Sequence, residues 1–570
     1  MHVISLALTL QLQIATLAGA PSPSTAQRAG DDSLRDLGRA HEVQAMFERQ
    51  RRNALPWGFG SGGRCDVRIG RFCWWYEDAS VGLPAEPEEI GQRRTVLLAS
   101  LDTLAQKHPG DPWITGIRVY YRVDNRQPAL ADSAARACRG ERWWCAALVA
   151  YAARARGALA DADSGFADAL SSMPDSVRCA WRDIAPVLPP GPRERYERLS
   201  CAQREPMESR YWSLATPRLS LAANEWRTEY FARHVVTTLL GSAVTPHPLS
   251  WSNDSAELLL RYGWPVAWSR TQPSSMAALL PDIFGHDPSP SFHYGPRADL
   301  LDSVATTTDD GWDLTDVHAE SRYAHPQIRR IAGISTQLAR FRRGDSTLLV
   351  AAWAAGDDSL LVPRVSIGAV QVDARLRAAD GDSTLIGRGR LMLGRPPRLA
   401  GVEVSDTATG VLARSRTLFP DRRDSAAVTL SDMLVYRPAD ETAPQLDEAL
   451  ARAIPGDTVS VARPVGLYWE TYGAPPTDTG HTALETSIDV ERIDRGFFRG
   501  ARQRLGLLDP ESPIRIRWAD ALGASAGLAP RALSLDLGNL PAGRYRVTLT
   551  VGLPGLPGAS TSREMTLTDR

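Results

Sequence analysis

The spacing of apolar residues changes period once along this chain, and that change limits the architecture more than any single motif. Up to about residue 250 large apolar residues recur at helical spacing, and beyond it they come mostly in short runs separated by turn residues. The expected fold class is multidomain α plus β: a helical N-terminal region, a small central α+β domain and two C-terminal antiparallel β-sandwiches. At 570 residues and 43% hydrophobic the chain can build several cores, and such a length suggests about three to five domains.

The cysteines add a second constraint. All six, Cys65, Cys73, Cys138, Cys145, Cys179 and Cys201, lie in the N-terminal part. An even count in an exported chain reads as a disulfide framework; about 15 pairings are open, and short spacings favour neighbours. The expected bridges are Cys65–Cys73, Cys138–Cys145 and Cys179–Cys201. Zinc is the weaker reading, because there is no Cys-x-x-Cys and no histidine cluster nearby. Export itself is read from the first residues. Val3 to Ala18 is largely apolar, small residues follow, and Ser24-x-Ala26 offers a better cleavage site than Ala20, which precedes Pro21. Residues 1–26 are therefore expected to be a signal peptide. No later run reaches ~18 uninterrupted apolar residues, so a soluble mature chain with no transmembrane segment is expected. A net charge of −1, with acids and bases interspersed, gives no reason to expect nucleic acid.

Residues 27–87 read as an N-terminal helix and a disulfide hairpin. Between them Trp57-Gly58-Phe59-Gly60-Ser61-Gly62-Gly63 is glycine-rich but has neither lysine nor phosphate-loop spacing, and Cys65 to Cys73 alternates like a hairpin with Gly70 at its turn. Residues 88–205 read as helix after helix. Trp144, Tyr151, Ala162, Phe166, Ala169 and Pro174 fall at tetratricopeptide spacings, and Pro109 to Pro174 is close to two repeats of ~34 residues. This region resembles a tetratricopeptide array.

The stretch Ser250 to Pro265 marks the change of period. Glu257-Leu258-Leu259-Leu260-Arg261-Tyr262 reads as a short strand stopped by Gly263-Trp264-Pro265, and Asn224 to Val236 as an amphipathic helix before it. Trp251, Asp254, Arg261, Tyr262, Gly263 and Pro265 match the GWxTD-domain proteins, a bacterial family with a Gly-Trp-x-Thr-Asp box before an Arg-Tyr-Gly-x-Pro strand end. The preceding helix opens Asn224-Glu225-Trp226-Arg227, like that family's Asn-Glu-aromatic-Arg. The chain resembles this family with a degenerate box, Ser250 replacing the glycine and Asn253 the threonine. Gly311-Trp312-Asp313-Leu314-Thr315-Asp316 carries one residue too many and reads as coincidence. The resemblance implies a compartment and a domain order, and brings no activity. Trp251 and Tyr262 then read as core aromatics, and Asp254 as a turn cap. The domain spans 206–335, with a second strand expected around Ser291-Phe292-His293-Tyr294.

Residues 340–425 and 456–570 read as two sandwiches, the second immunoglobulin-like, with Trp353 in the first core and Trp469, Trp518 and Tyr545 in the second. Residues 426–455 read as a linker with a short helix around Gln445 to Ala453. Candidate chemistry is thin. Gly523-Ala524-Ser525-Ala526-Gly527 matches a nucleophile-elbow string, but it lies between strands rather than between strand and helix. Asp357-Asp358 and Asp380-Gly381-Asp382 lack enough ligands for calcium, and Arg343-Gly344-Asp345 is a turn. No catalytic, cofactor or metal residue is expected. The sequence favours a non-catalytic exported cell-envelope protein, a scaffold that binds envelope proteins or surface polymers. The competing reading is a secreted hydrolase with a site in the central domain around Asp254, Arg261, His286 and His293.

Overall fold

The computed structural model describes residues 25–58, 65–78, 80, 82–219, 221, 223–271, 281–302, 319–355, 362–367, 370–373, 375–378, 385–397, 399–406, 409–419, 428–439, 444–473, 481–494, 514–523 and 527–569. Nearly all of the expected signal peptide, the Gly311 to Asp316 string, the turns at 356–358 and 380–382, and Ser525 fall outside them. The described chain is mixed α and β, with most helices in the first half and most strands, in several sheets, in the second.

The helices Thr25–Ala54, Glu88–Lys107, Pro112–Asp124, Pro128–Arg136, Arg142–Ala155 and Leu159–Ser172 each pack on the next. Their starts are written locally. Asp111 accepts hydrogen bonds from the backbone N–H of Trp113 and Ile114, and Pro112 supplies a helical φ at the first position. Their inward faces, including Trp144, Tyr151, Ala162, Phe166 and Ala169, are buried in one cluster or beside it. The six cysteines form the neighbouring bridges Cys65–Cys73, Cys138–Cys145 and Cys179–Cys201. The second joins the end of Pro128–Arg136 to Arg142–Ala155, and the third ties Asp175–Arg182 to the start of Cys201–Leu214. The helix Glu225–Leu240 lies across this assembly and buries Trp226, Tyr230, Phe231 and His234 in the shared core or against it.

The central region departs from the sequence reading. Glu257 to Tyr262 is not a strand; it belongs to the helix Asn253–Tyr262. Three leucines in a row carry high helix propensity and no β-branching. Ser252 and Ser255 form a capping box at its start, and Glu257 pairs with Arg261 one turn on. Gly263 ends the helix at φ +92°, a conformation that side chains resist. Asp254 accordingly sits in the helix's first turn rather than capping a loop. The two-stranded sheet of this region is Ala267–Thr271 with Asp282–His286, antiparallel, and Pro56 to Gly58 runs beside it through hydrogen bonds to Arg270. The expected strand at Ser291 to Tyr294 reduces to a bridge between Phe292 and Tyr323.

Beyond Arg330 two pairs of sheets follow. In the first, Arg375–Ala378, Leu385–Leu393, Ser346–Ala355 and Ser335–Arg343 form one antiparallel sheet. Arg330–Gly333, Val411–Leu418, Leu399–Asp406, Val362–Ile367 and Val370–Asp373 form the other, with Arg330–Gly333 parallel to its neighbour. Trp353 lies fully buried between them with Val402 and Val404. In the second pair, Val465–Tyr472 pairs with Leu528–Leu535, while the other sheet runs Thr458–Ser460, Ala559–Thr568, Gly543–Gly552, His481–Arg492 and Ile514–Gly523. The segment 426–455 is more than a linker. It carries the helix Leu446–Ala451, but Thr429–Leu430 and Leu434–Tyr436 also pair with Val465–Tyr472 and complete its sheet. Every residue of Val465–Tyr472 is buried: Leu467 and Trp469 face the second core, while Tyr468 faces a separate cluster with Phe341, Val350, Tyr436 and Leu450.

Candidate functional site

Aromatic side chains from three distant segments meet in one cleft. The hairpin Val67–Ile69 and Phe72–Trp74, closed by Cys65–Cys73, supplies Phe72 and Trp74 and leads directly into Trp75, Tyr76 and Glu77. The segment from His247 through the helix Asn253–Tyr262 to the strand Ala267–Thr271 supplies Trp251, Leu258, Trp264 and Trp268, and the strand Asp282–His286 supplies Phe284 and His286. The cleft has a volume of about 640 Å³, inside the ~300–1,000 Å³ range of small-ligand sites. Its rings support one another: Trp251 lies 5.8 Å from Trp264, Trp264 lies 5.4 Å from Trp268, and Trp75 lies 5.6 Å from Phe284. Trp74 and Trp268 are buried, while Trp75, Trp251, Trp264 and Phe284 are partly exposed.

Most of the residues singled out between Trp251 and Pro265 form or brace this cleft. Trp251, Gly263 and Pro265 line it. Tyr262 stacks on Trp74 at 5.1 Å and donates a hydrogen bond to the Ala319 carbonyl at 3.2 Å. Asp254 reaches the hairpin turn, where a Cβ on Gly70 would collide with its carboxylate. Arg261 points elsewhere and pairs with Glu257 and Glu320. Asp254, Arg261, His286 and His293 therefore do not converge. His293 contacts the Ser321 carbonyl through Nδ1 at 2.8 Å, and of the four only His286 lines the cleft.

His286 has partners that sequence reasoning missed. Its Nε2 lies 2.7 Å from Ser269 Oγ and its Nδ1 lies 2.7 Å from Glu77 Oε1, while Glu77 Oε2 accepts the Asp287 backbone N–H. Ser, His and Glu in that order have the connectivity of a nucleophile, a base and an orienting acid. Access decides what it can do. Ser269 is 1% exposed and does not line the cleft, and a Cβ on Gly58 would come within 2.8 Å of its Oγ. The hydroxyl is buried with Gly58 packed close against it, away from the residues that line the cleft. As it stands, the chain of hydrogen bonds fastens the Glu77 segment to the sheet.

Electrostatics separate the cleft from its neighbours. Burial, reinforced by Arg52, lowers the His247 pKa to about 4, so this cleft imidazole is neutral at pH 7. Burial raises the Asp287 carboxyl above its usual range, against hydrogen bonds from Ser289. A cavity of about 410 Å³ backs onto the cleft, sharing Trp74, Gly263, Trp264 and Asp287, but its charges include the mutually paired Arg154, Glu229 and Arg233. Another of about 650 Å³ near Leu399 is lined by the pairs Arg182–Glu208 and Arg227–Asp163. Among the described residues no group of three or more His, Cys, Asp or Glu is placed to hold a metal ion, and no helix is long and apolar enough to cross a membrane. No protein-family model matches the chain, and no curated protein is significantly similar to it.

Proposed function

We propose that this is an exported, non-catalytic cell-envelope protein that works as a binding scaffold, with the aromatic cleft as its recognition site. The observation that carries this reading is the lining itself: partly exposed rings from three segments meet in one concavity, while Ser269, the nucleophile-like serine found beside it among the described residues, is buried. Three disulfides support an oxidising compartment. Consecutive helix pairs support a tetratricopeptide-like array, and the placement of Trp251, Tyr262, Gly263 and Pro265 around one site supports kinship with the GWxTD-domain proteins. The paired sheets at the C-terminus are read as sandwiches, the last immunoglobulin-like, that extend the scaffold.

A second reading, a hydrolase using Ser269, is favoured by the two 2.7 Å contacts of His286. Two experiments separate them. A photoreactive phenylalanine analogue at position 248, where Pro248 stands exposed on the cleft, is expected to capture a discrete component of the native envelope, and Trp75→Ala is expected to abolish the adduct without unfolding the chain. A fluorophosphonate probe is expected to leave Ser269 unlabelled. Labelling at Ser269, lost in His286→Ala, would establish the hydrolase instead.

A further inference from the structure

The cleft's mixture of groups narrows its ligand. Four carboxylates line it, Asp66, Glu77, Asp282 and Asp287, beside Arg71 at the exposed mouth. These sit against the partly exposed rings of Trp75, Trp251, Trp264 and Phe284. We infer that the cleft binds a neutral saccharide, a segment of a surface polymer whose ring faces lie on these aromatics and whose hydroxyls bond the surrounding carboxylates and Arg71. The inference rests on the binding-site reading above.

Three ligand chemistries suit an aromatic cleft, and the polar groups choose among them. A proline-rich segment docks on aromatic grooves through its rings and carbonyls, but it carries few donors and would leave the carboxylates unmatched. A quaternary ammonium suits aromatic faces near acids. Here the acids are largely engaged: Glu77 bridges His286 and the Asp287 N–H, Asp66 accepts the Tyr76 N–H, and the half-buried Asp287 accepts from Ser289. Arg71 adds a like charge at the mouth. An anionic polymer would meet four carboxylates. A polyol needs no net charge, because each hydroxyl both donates and accepts, and a carboxylate already holding one bond keeps further lone pairs for it. The C–H face of a sugar ring then removes apolar aromatic surface from water.

The test is calorimetry and intrinsic tryptophan fluorescence on the mature full-length chain with maltohexaose, cellohexaose and chitohexaose, beside deca-proline and tetramethylammonium. At least one hexasaccharide is expected to bind and to quench fluorescence. Trp75→Ala and Trp264→Ala are each expected to weaken it by about tenfold or more, as loss of a central aromatic contact does, while Trp75→Phe retains most of the affinity. Thermal melts identify any variant that has lost its fold. Failure of all three hexasaccharides at millimolar concentration, equal binding by Trp75→Ala, or tighter cleft-dependent binding of deca-proline or tetramethylammonium would overturn the inference. If the saccharides fail while capture from position 248 still depends on Trp75, only the ligand class is wrong; if both fail, the binding reading falls with it.

Discussion

From Ala40 to Tyr323 the helices and part of the cleft share one continuous core, with Ile69 and Trp74 of the hairpin and Tyr262 in a small cluster beside it, whereas the chain beyond Leu338 divides its apolar residues among three clusters, two within sheet pairs and one between them. The first region also holds all three disulfides; the second has no cysteine and ties its layers with partly buried polar contacts. Arg343 donates to Glu470, Arg340 to Asp432, and Gln337 reaches the carbonyls of Val435 and Ile454. In the first region Cys65–Cys73 closes the hairpin that forms one wall of the cleft, and Trp268 on another wall belongs to the large core. In the second, the boundary between sheet pairs lies where the layers meet rather than in a connecting segment.

The largest expected effect tests that boundary. A fragment of residues 456–570 lacks the strands Thr429–Leu430 and Leu434–Tyr436 and exposes Leu467 and Tyr468 along the vacated edge. It is expected to be unfolded by circular dichroism, whereas 428–570 should give a cooperative melt. A native-like 456–570 would restore the linker reading.

In the first region single lesions where the helix Asn253–Tyr262 ends should loosen the hairpin's hold on it. Tyr262→Ala opens a cavity beside Trp74 and loses the bond to Ala319, and is expected to cost about 3–5 kcal/mol. Gly263→Val forces a β-branched residue to φ +92° beside the Arg233 guanidinium and should cost about 1–3 kcal/mol. Denaturant melts read both, and an unchanged midpoint in either would show that the helix end does not brace the core.

A pH effect of intermediate size is expected from His234, whose ring stacks on Trp181 at 5.4 Å and whose pKa burial lowers to about 3. The unfolded chain binds this proton below about pH 6.5 and the folded chain does not, so stability is full above pH 6.5 and falls as pH drops toward 3. At pH 5 the loss is on the order of 2 kcal/mol, and His234→Phe should flatten that slope. An unaltered pH profile in the variant would remove His234 as its source. The smallest effect belongs to Asp254→Asn: asparagine keeps the shape against Gly70, and the expected cost is about 1 kcal/mol or less.

Much of this was legible, and what was not has physical reasons. Helical spacing around Trp144, Tyr151, Phe166 and Ala169 marked buried faces because a helix repeats its contacts locally. The cysteine pairs could be read because close spacing limits which thiols can meet. Glu257 to Tyr262 misled because a short apolar run has no period of its own; the absence of β-branching and the Glu257/Arg261 spacing were the signals for a helix. Thr429–Leu430 and Leu434–Tyr436 are too short to show alternation. The cleft was half visible. Trp251 and Gly263 stood among the residues singled out, but Trp264 between Gly263 and Pro265 did not, and the hairpin was read only to Cys73, one residue before Trp74-Trp75-Tyr76-Glu77, three aromatics and an acid in succession. Glu77 lies 209 residues from His286, so only the packing of the hairpin onto the helix Asn253–Tyr262 brings them together.

The central claim is that this site recognises rather than reacts, and capture from position 248 in two further variants tests it most directly. Ser269→Ala should keep the adduct, since Ser269 only fastens the sheet, while Trp264→Ala should lose it with the fold intact. An adduct lost in Ser269→Ala but kept in Trp264→Ala would contradict the account.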